Sequence, residues 1–423
     1  MQPNENELLE LIKEAADKAS IRFDQPQNSY SPTEQTAPNQ TAHDRGADAF
    51  RIVGGGSKNF YGAPHFGTPL FTQGLNGIVS YEPSELYITA KAGTPLKDIE
   101  AALAEKGQYL PFEAPNFNGS ATIGGAISGG LSGPARASSG SARDYVLGIK
   151  MINGRGEQLV FGGQVIKNVA GYDVSRVLCG AWGTLGLLTE ISLKVLPKAL
   201  AEKTILLKLS QQRAIELLNA WGATALALNA SVWHSEPLNA LSDSFSSDLG
   251  KDEGILAIRL RGALAAVNSG EQGVMNQCAK LGIATQIQEG ADALEFWNAH
   301  KNQTHKFFNE PSSPLDCLWR VSVPQKTEAL KIEGVDPNAA QCTEWNAAQR
   351  WLWAPSECSA KIKACALAAG GHATLWRVSS ANGDKDKGVG VFTNLSDVQR
   401  KIQKALQKEF DPWGLFDTGR LEI

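Results

Sequence analysis

The stretch "RIVGGGSKNF", Arg51 to Phe60, sets the question that decides the fold. An apolar pair, Ile52-Val53, runs into Gly54, Gly55 and Gly56, then Ser57 and Lys58. Three glycines after a short strand let backbone N–H groups crowd around a ligand, and amides turned inward form an anion-binding nest. Neither familiar phosphate motif fits. A Walker loop needs G-x-x-x-x-G-K-[ST], and a Rossmann fingerprint needs glycine at the sixth position from Gly54, where Asn59 stands. Taken alone, the stretch suits a tight turn as well as a ligand loop.

A second glycine region tips the balance. "ATIGGAISGGLSGPARASSGSARDYVLG" begins at Ala121 and places glycine at 124, 125, 129, 130, 133 and 140. Thr122, Ser128, Ser132, Ser138 and Ser139 lie among them. So many glycines do not suit a packed helix. They suit backbone drawn close to a long, polar ligand such as a dinucleotide pyrophosphate with its ribitol. A mobile glycine-rich loop is the alternative, and two such regions, both after strands, favour the ligand.

Bulk properties narrow the class. At 423 residues the chain exceeds what one hydrophobic core usually serves, so two or more domains are expected. The formal net charge of -4 gives no basic field for nucleic acid. No run of 18 apolar residues encodes a membrane span, and the acidic, helical N-terminus is no signal peptide. The six cysteines are scattered without C-x-x-C, which argues against structural zinc, a disulfide framework and an iron–sulfur cluster. The simplest setting is a reduced cytoplasm.

Periodicity predicts a helix over 5–20 with Leu8, Leu9, Ile12, Ala15 and Ala16 on one face, followed by a polar, proline-bearing insert at 24–44. The stretch 85–93 reads as a strand. Residues 94–107 read as a helix with Thr94 as N-cap, Pro95 at the first position and Gly107 as its stop. Residues 200–380 read as one antiparallel sheet covered by helices. Six of the ten tryptophans fall between Trp297 and Trp376, a cluster that reads mostly as core, with a subunit interface as the alternative for its excess.

These motifs carry a resemblance. The chain resembles the FAD-binding fold shared by vanillyl-alcohol oxidase and p-cresol methylhydroxylase. Gly54-Gly55-Gly56-Ser57-Lys58 matches that family's first loop, and Ala121-Thr122-Ile123-Gly124-Gly125 its second. Arg143-Asp144 with Val146-Leu147-Gly148 matches the segment near the flavin ring. Gly183-Thr184-Leu185-Gly186 running into Glu190-Ile191 matches the adenine side. "FGGQVIKNVAGYDVSRVLCGAWGTLG", "GGHATLWR" (370–377) and "LFDTGR" (415–420) resemble the FAD-binding subunit of bacterial glycolate oxidases more closely.

The resemblance implies an α+β fold: a two-subdomain FAD-binding fold of the p-cresol methylhydroxylase type plus an α+β cap. Running from about Ala49 to the end, it implies an FAD-binding domain (49–197), a cap (198–394) and a C-terminal segment returning to the FAD domain (395–423); the N-terminal helix and polar insert (1–48) precede it, and residues 20–45 look like an addition that it does not explain. FAD contacts are expected at Gly54, Gly55, Gly56, Ser57, Lys58, Thr122, Ile123, Gly124, Gly125, Ser128, Gly140, Asp144, Val146, Gly186, Glu190 and Ile191. Covalent relatives carry a histidine in or beside the glycine loop. Here Ser57 stands there and His65 is eight residues on, so non-covalent FAD is expected.

The implied activity is oxidation of glycolate, a small 2-hydroxy acid, to glyoxylate. Electrons would pass to a separate iron–sulfur subunit and quinone, with a sister FAD subunit in the complex and membrane association only through partners. Two alternatives stand: an FAD-binding scaffold beside a catalytic sister subunit, and a self-sufficient 2-hydroxyacid oxidase. Only His372 remains of the histidine cluster of the related dehydrogenases.

Oxidising a 2-hydroxy acid needs a cation for the carboxylate and a base for the hydroxyl proton. "LWRVS" occurs at 318–322 and 375–379. Strand alternation sets Arg320 opposite Trp319 and Val321, and Arg377 opposite Trp376 and Val378. Either arginine suits a carboxylate clamp or a plain solvent or partner contact; His372 suits a base or a structural role. Lys167 and Asp173 flank the flavin-proximal segment. Cys179 reads as core. His300 and His305, five apart, miss a common helical face, so no metal is expected.

Overall fold

A computed structural model describes residues 2–24, 49–163, 173–236, 245, 249–250 and 253–422. Most of the polar insert, Lys167 and most of the loop before residue 253 lie outside the described residues. The helix Glu5–Asp24 buries Leu8, Ile12 and Ala16, four residues apart on one face. They pack on Phe50, Leu70 and Leu187 and, from the other end of the chain, on Leu415 and Phe416. Both ends therefore meet over the first glycine strand, β1 (Phe50–Val53), which pairs in parallel with β2 (Thr68–Phe71).

The next strands are β3 (Ile78–Glu82), β4 (Tyr87–Lys91), β5 (Gln108–Tyr109), β6 (Val146–Ile152), β7 (Gln158–Gly162), β8 (Leu187–Lys194) and β9 (Leu196–Pro197). Five form an antiparallel sheet in the order β3-β4-β8-β6-β7, and β5 pairs with β9. The helix Leu96–Glu105 seals this sheet with fully buried Leu96, Ile99 and Leu103. Its start corrects the expected cap. Pro95 occupies the cap position, while the Thr94 hydroxyl bonds the Lys91 carbonyl at 2.7 Å.

Eight further strands build one antiparallel sheet: β10 (Ala201–Ser210), β11 (Leu228–His234), β12 (Glu253–Gly262), β13 (Thr285–Gln288), β14 (Asp316–Ser322), β15 (Gln341–Glu344), β16 (Gln349–Pro355) and β17 (His372–Arg377). Their order is β13-β10-β12-β11-β15-β16-β14-β17. Strand alternation divides the sheet cleanly. Ile205, Leu207, Leu256 and Ile258 face the helices Gln211–Gly222 and Leu264–Lys280. Cys317, Trp319, Val321 and Leu352 face the helix Ser359–Ala368. Leu206, Ala257, Leu318, Trp351 and Trp353 face the other way, where Tyr61 and Leu131 from the glycine segments pack among them.

Trp297, Trp319, Trp345, Trp351, Trp353 and Trp376 are all buried within the chain, as the core reading of the cluster expects and the interface alternative does not. β17 breaks the expected strict alternation. A bulge pairs Leu318 with Arg377 but Trp319 with Leu375, which brings Trp376 and Arg377 to the same side. Both donate to Gln303 Oε1, at 2.8 and 3.3 Å.

One buried ion cluster joins the two sheets. Glu113, in the loop after β5, accepts from Arg259 of β12 at 2.6 Å, Arg261 at 3.3 Å and the Ala135 N–H at 3.0 Å. Burial pushes the Glu113 carboxyl up, but the two guanidiniums and the amide overcome this and hold it below the usual carboxylate range. The cluster is charged at neutral pH and fixes the larger sheet against the glycine segments.

Candidate functional site

The two glycine segments converge on one cleft. Gly54, Gly55, Gly56, Ser57 and Lys58 from the first line it together with Thr122, Gly124, Gly125 and Ser128 from the second. The cleft spans about 650 Å³ when the space open to solvent is counted. Glycine is required by chain packing as well as by a ligand. A Cβ on Gly55 would lie 1.4 Å from the Ser120 carbonyl oxygen, and one on Gly54 would lie 2.4 Å from Thr122 Oγ1. Only Gly56 of the three has a left-handed φ, +70°. The Thr122 hydroxyl accepts the Gly125 N–H at 3.3 Å, capping the short helix Ile123–Gly129.

Sequence reasoning missed one cation in this lining. Arg420, the last residue of LFDTGR, lines the same cleft. It donates to the Lys58 and Tyr61 carbonyls and lies 4.6 Å over the Trp182 ring. Its position follows from a clasp at Asp411, whose carboxylate accepts the N–H groups of Leu415 and Phe416 at 2.8 and 2.7 Å. Trp182 takes a left-handed φ of +54° and stacks on Tyr61 at 4.3 Å. Lys58 is buried, and its one hydrogen bond runs to Ser57 Oγ at 3.2 Å. Burial, and then the Arg420 guanidinium, bring the Lys58 ammonium down to about 8. Among the described residues neither cation has an ion-pair partner.

The remaining candidates lie outside this lining. Ile123 and Ile191 are in the core of the five-stranded sheet, and Val146 starts β6. Gly140 packs on Asp144, whose carboxylate caps Ser141 at 2.8 and 2.9 Å. Gly186 lies against the Ile152 carbonyl. Glu190 pairs with Lys150 at 2.9 Å and Lys91 at 3.3 Å. Asp173 pairs with Arg176 at 2.8 Å, and Cys179 is core. His65 is engaged at 3.2 Å with the Ala63 carbonyl.

A smaller cavity, about 330 Å³ with the space open to solvent counted, lies beyond Tyr61, which meets Trp376 edge-on at 5.0 Å. Arg320, Glu344, Gln303, His300 and Trp376 line it beside Ser132 and Gly133 of the second glycine region. Arg320 lies over Trp345, Trp376 and Trp351 at 5.2, 5.4 and 5.9 Å and donates from Nε to Gln349 at 2.6 Å. Glu344 accepts from Trp351 Nε1 at 2.6 Å and Gln349 at 2.9 Å, and burial pushes its carboxyl up. Arg377 lies over Phe60 at 4.7 Å with its Nε buried and unpaired, and His372 is exposed at the start of β17. Of the three candidates for chemistry, Arg320 alone lines a described cavity.

His300 and His305 do meet. The helix Gly290–Asn302 ends between them, so helical spacing does not govern the pair, and their rings approach to 4.7 Å beside His234.

The cleft fits a dinucleotide, with paired glycine segments in its lining and two cations that have no ion-pair partner among the described residues. Known proteins agree. A model of the FAD-binding domain matches residues 40–162. The solved structure of p-cresol methylhydroxylase with substrate bound superposes with a TM-score of 0.60 at 15% identity, covering 88% of this chain and 84% of that one. The chain has the FAD-binding fold of the p-cresol methylhydroxylase type, and its relatives place it among the FAD-dependent oxidoreductases. Over 371 residues the chain is 37% identical to glycolate oxidase subunit GlcE of Escherichia coli K12, covering 88% of this chain and 91% of that one. It belongs to that family of glycolate oxidase subunits. Glycolate oxidase subunit GlcD of Bacillus subtilis is 36% identical over 143 residues, 33% of this chain and 30% of that one.

Proposed function

We propose that the chain binds FAD non-covalently in the glycine cleft and serves, within a glycolate oxidase complex, in the oxidation of glycolate to glyoxylate. The convergence of Gly54–Lys58, Thr122–Gly125 and Arg420 on one cleft carries the reading. The N–H groups of the first segment hold the diphosphate, and Lys58 and Arg420 neutralise it. FAD, when bound, supplies the acceptor for the hydride leaving the substrate carbon. The division into an FAD-binding part at 49–197, a cap at 198–394 and a returning C-terminal segment belongs to the same proposal.

The acid binds in the cavity beyond Tyr61. Arg320 clamps its carboxylate, because the guanidinium is held by aromatic faces and one amide and keeps hydrogen-bonding capacity for a ligand. Glu344, on the same wall, takes the hydroxyl proton; a carboxyl raised by burial is a stronger base than an exposed one. Electrons then leave for a separate iron–sulfur subunit and quinone. GlcE-type relatives are named as subunits, which supports the need for partners.

A scaffold role, with the chemistry on a sister FAD subunit, is favoured by one observation: the Tyr61–Trp182 stack and Trp376 stand between the cleft and Arg320. Anaerobic addition of glycolate to the isolated, FAD-loaded chain separates the two. Bleaching of the yellow colour supports catalysis in this chain, and a colour that persists supports the scaffold.

A further inference from the structure

Three buried histidines from separate parts of the chain meet on the aromatic side of the larger sheet. His234 ends β11, His300 lies in the last turn of Gly290–Asn302, and His305 precedes the turn Lys306–Phe308. One nitrogen from each lies within 4.8 Å of the others. His234 Nε2 is 2.7 Å from His300 Nε2. His300 Nδ1 is 2.8 Å from the Phe296 carbonyl. Only an N–H can face a carbonyl, so His300 carries its proton on Nδ1 and turns the Nε2 lone pair inward. That is the arrangement in which metal-binding histidines are held by an outer hydrogen bond. His305 Nε2 is buried and has no partner among the described residues.

We propose that His234, His300 and His305 bind a divalent transition-metal ion, with zinc the best match to three imidazole nitrogens. A tetrahedral zinc at about 2.0–2.1 Å from each nitrogen sets those nitrogens roughly 3.3–3.4 Å apart. The present separations, 2.7 Å at the close pair and up to 4.8 Å elsewhere, bracket that value. Coordination therefore turns the rings by modest rotations and replaces the His234–His300 hydrogen bond, the proton that His234 Nε2 donates in that bond moving to its own Nδ1. It also moves the His305 proton to Nδ1, at the loss of a long 3.3 Å bond from the Phe307 N–H. In return the unpartnered His305 Nε2 gains a ligand. Burial keeps all three imidazoles neutral, His305 being lowered to about 4. Among the described cavities, only the one holding Arg320 is lined by a member of the triad, so a water as fourth ligand enters from there.

The test uses the full-length, FAD-loaded chain. After chelator treatment and desalting, zinc is titrated in competition with a chromophoric chelator, and the bound ion is examined by zinc-edge X-ray absorption. The expected result is about one zinc per chain with a submicromolar Kd and three imidazole nitrogens in its shell. His300→Gln and His305→Gln each weaken binding on the order of 100-fold or more. His372→Gln, an exposed histidine outside the cluster, does not. Circular dichroism and flavin content confirm the fold of each variant. No retained zinc in the wild type, a shell without imidazole, or folded His300→Gln binding zinc as tightly as wild type overturns the proposal. If neither variant folds, the wild-type titration and spectrum still decide it.

Discussion

Two cavities lie on either side of Tyr61, and they are built in opposite ways. The glycine cleft is largely backbone, given by two short contiguous segments around Gly54–Lys58 and Thr122–Ser128 with Arg420 added from the chain's end. The aromatic cavity is largely side chain: Arg320, Glu344, Trp351 and Trp376 come from four different strands and Gln303 from the end of a helix. Amides turned inward suit a diphosphate whatever the surrounding sequence. A guanidinium held among tryptophan faces suits one small anion in one orientation. The reading above therefore assigns the cofactor to the first cavity and selectivity to the second.

The sharpest way to break that contrast is to add a side chain to the backbone-built side. Gly55→Val puts a Cβ 1.4 Å from the Ser120 carbonyl oxygen, so one of the two segments must shift. We expect complete loss of flavin from the purified protein, read as absorbance after desalting. Gly222→Ala, in a helix where a Cβ meets nothing within 4 Å, keeps its flavin. Full flavin occupancy in folded Gly55→Val would show that the cleft is placed wrongly.

The join between the two regions comes next. Glu113→Gln removes the charge facing Arg259, a guanidinium 3% exposed. Leaving it unpaired should cost about 3–5 kcal/mol, measured by denaturant unfolding. A loss below about 1 kcal/mol would mean that the cluster does not hold the regions together.

On the side-chain-built side, Arg320→Met should lower kcat/KM of the assembled complex about 10- to 1000-fold with flavin content unchanged. Arg320→Lys should recover only part, because the planar fork is lost. An effect under about twofold in intact complex removes Arg320 from the chemistry and leaves the scaffold role.

The smallest expected effect is a pH dependence. Lys58, lowered to about 8 by burial and Arg420, is mostly charged below that pH and mostly neutral above it. An anionic diphosphate binds the charged form, so FAD affinity should be flat below pH 8 and fall above it, by at most about tenfold per unit. Lys58→Met should abolish the slope. A flat profile in the wild type would detach Lys58 from the diphosphate.

The same contrast explains what could be read in advance. Glycine runs are contiguous, so both segments of the cleft were legible, as were helices such as Gln211–Gly222 with its uninterrupted apolar face. Arg420 was not, because it stands more than 360 residues from Gly54 and is brought to the cleft by the Asp411 clasp and by backbone bonds to Ala63 and Phe66. The faces of Trp376 and Arg377 were misjudged because the bulge in β17 resets the period of two. The histidine cluster escaped because a helix ends between His300 and His305 and the third member sits on a distant strand. The tryptophan excess was visible, but a buried aromatic face and an interface share one composition, and only the three-dimensional packing separates them.

The central claim is that the backbone-built cleft, with Lys58 and Arg420, holds the FAD diphosphate. A crystal structure of the FAD-loaded chain tests it most directly. The account predicts diphosphate oxygens within hydrogen-bonding distance, about 2.7–3.2 Å, of N–H groups between Gly54 and Lys58, with the Lys58 or Arg420 side chain turned onto them. A diphosphate seated clear of both glycine segments would contradict it.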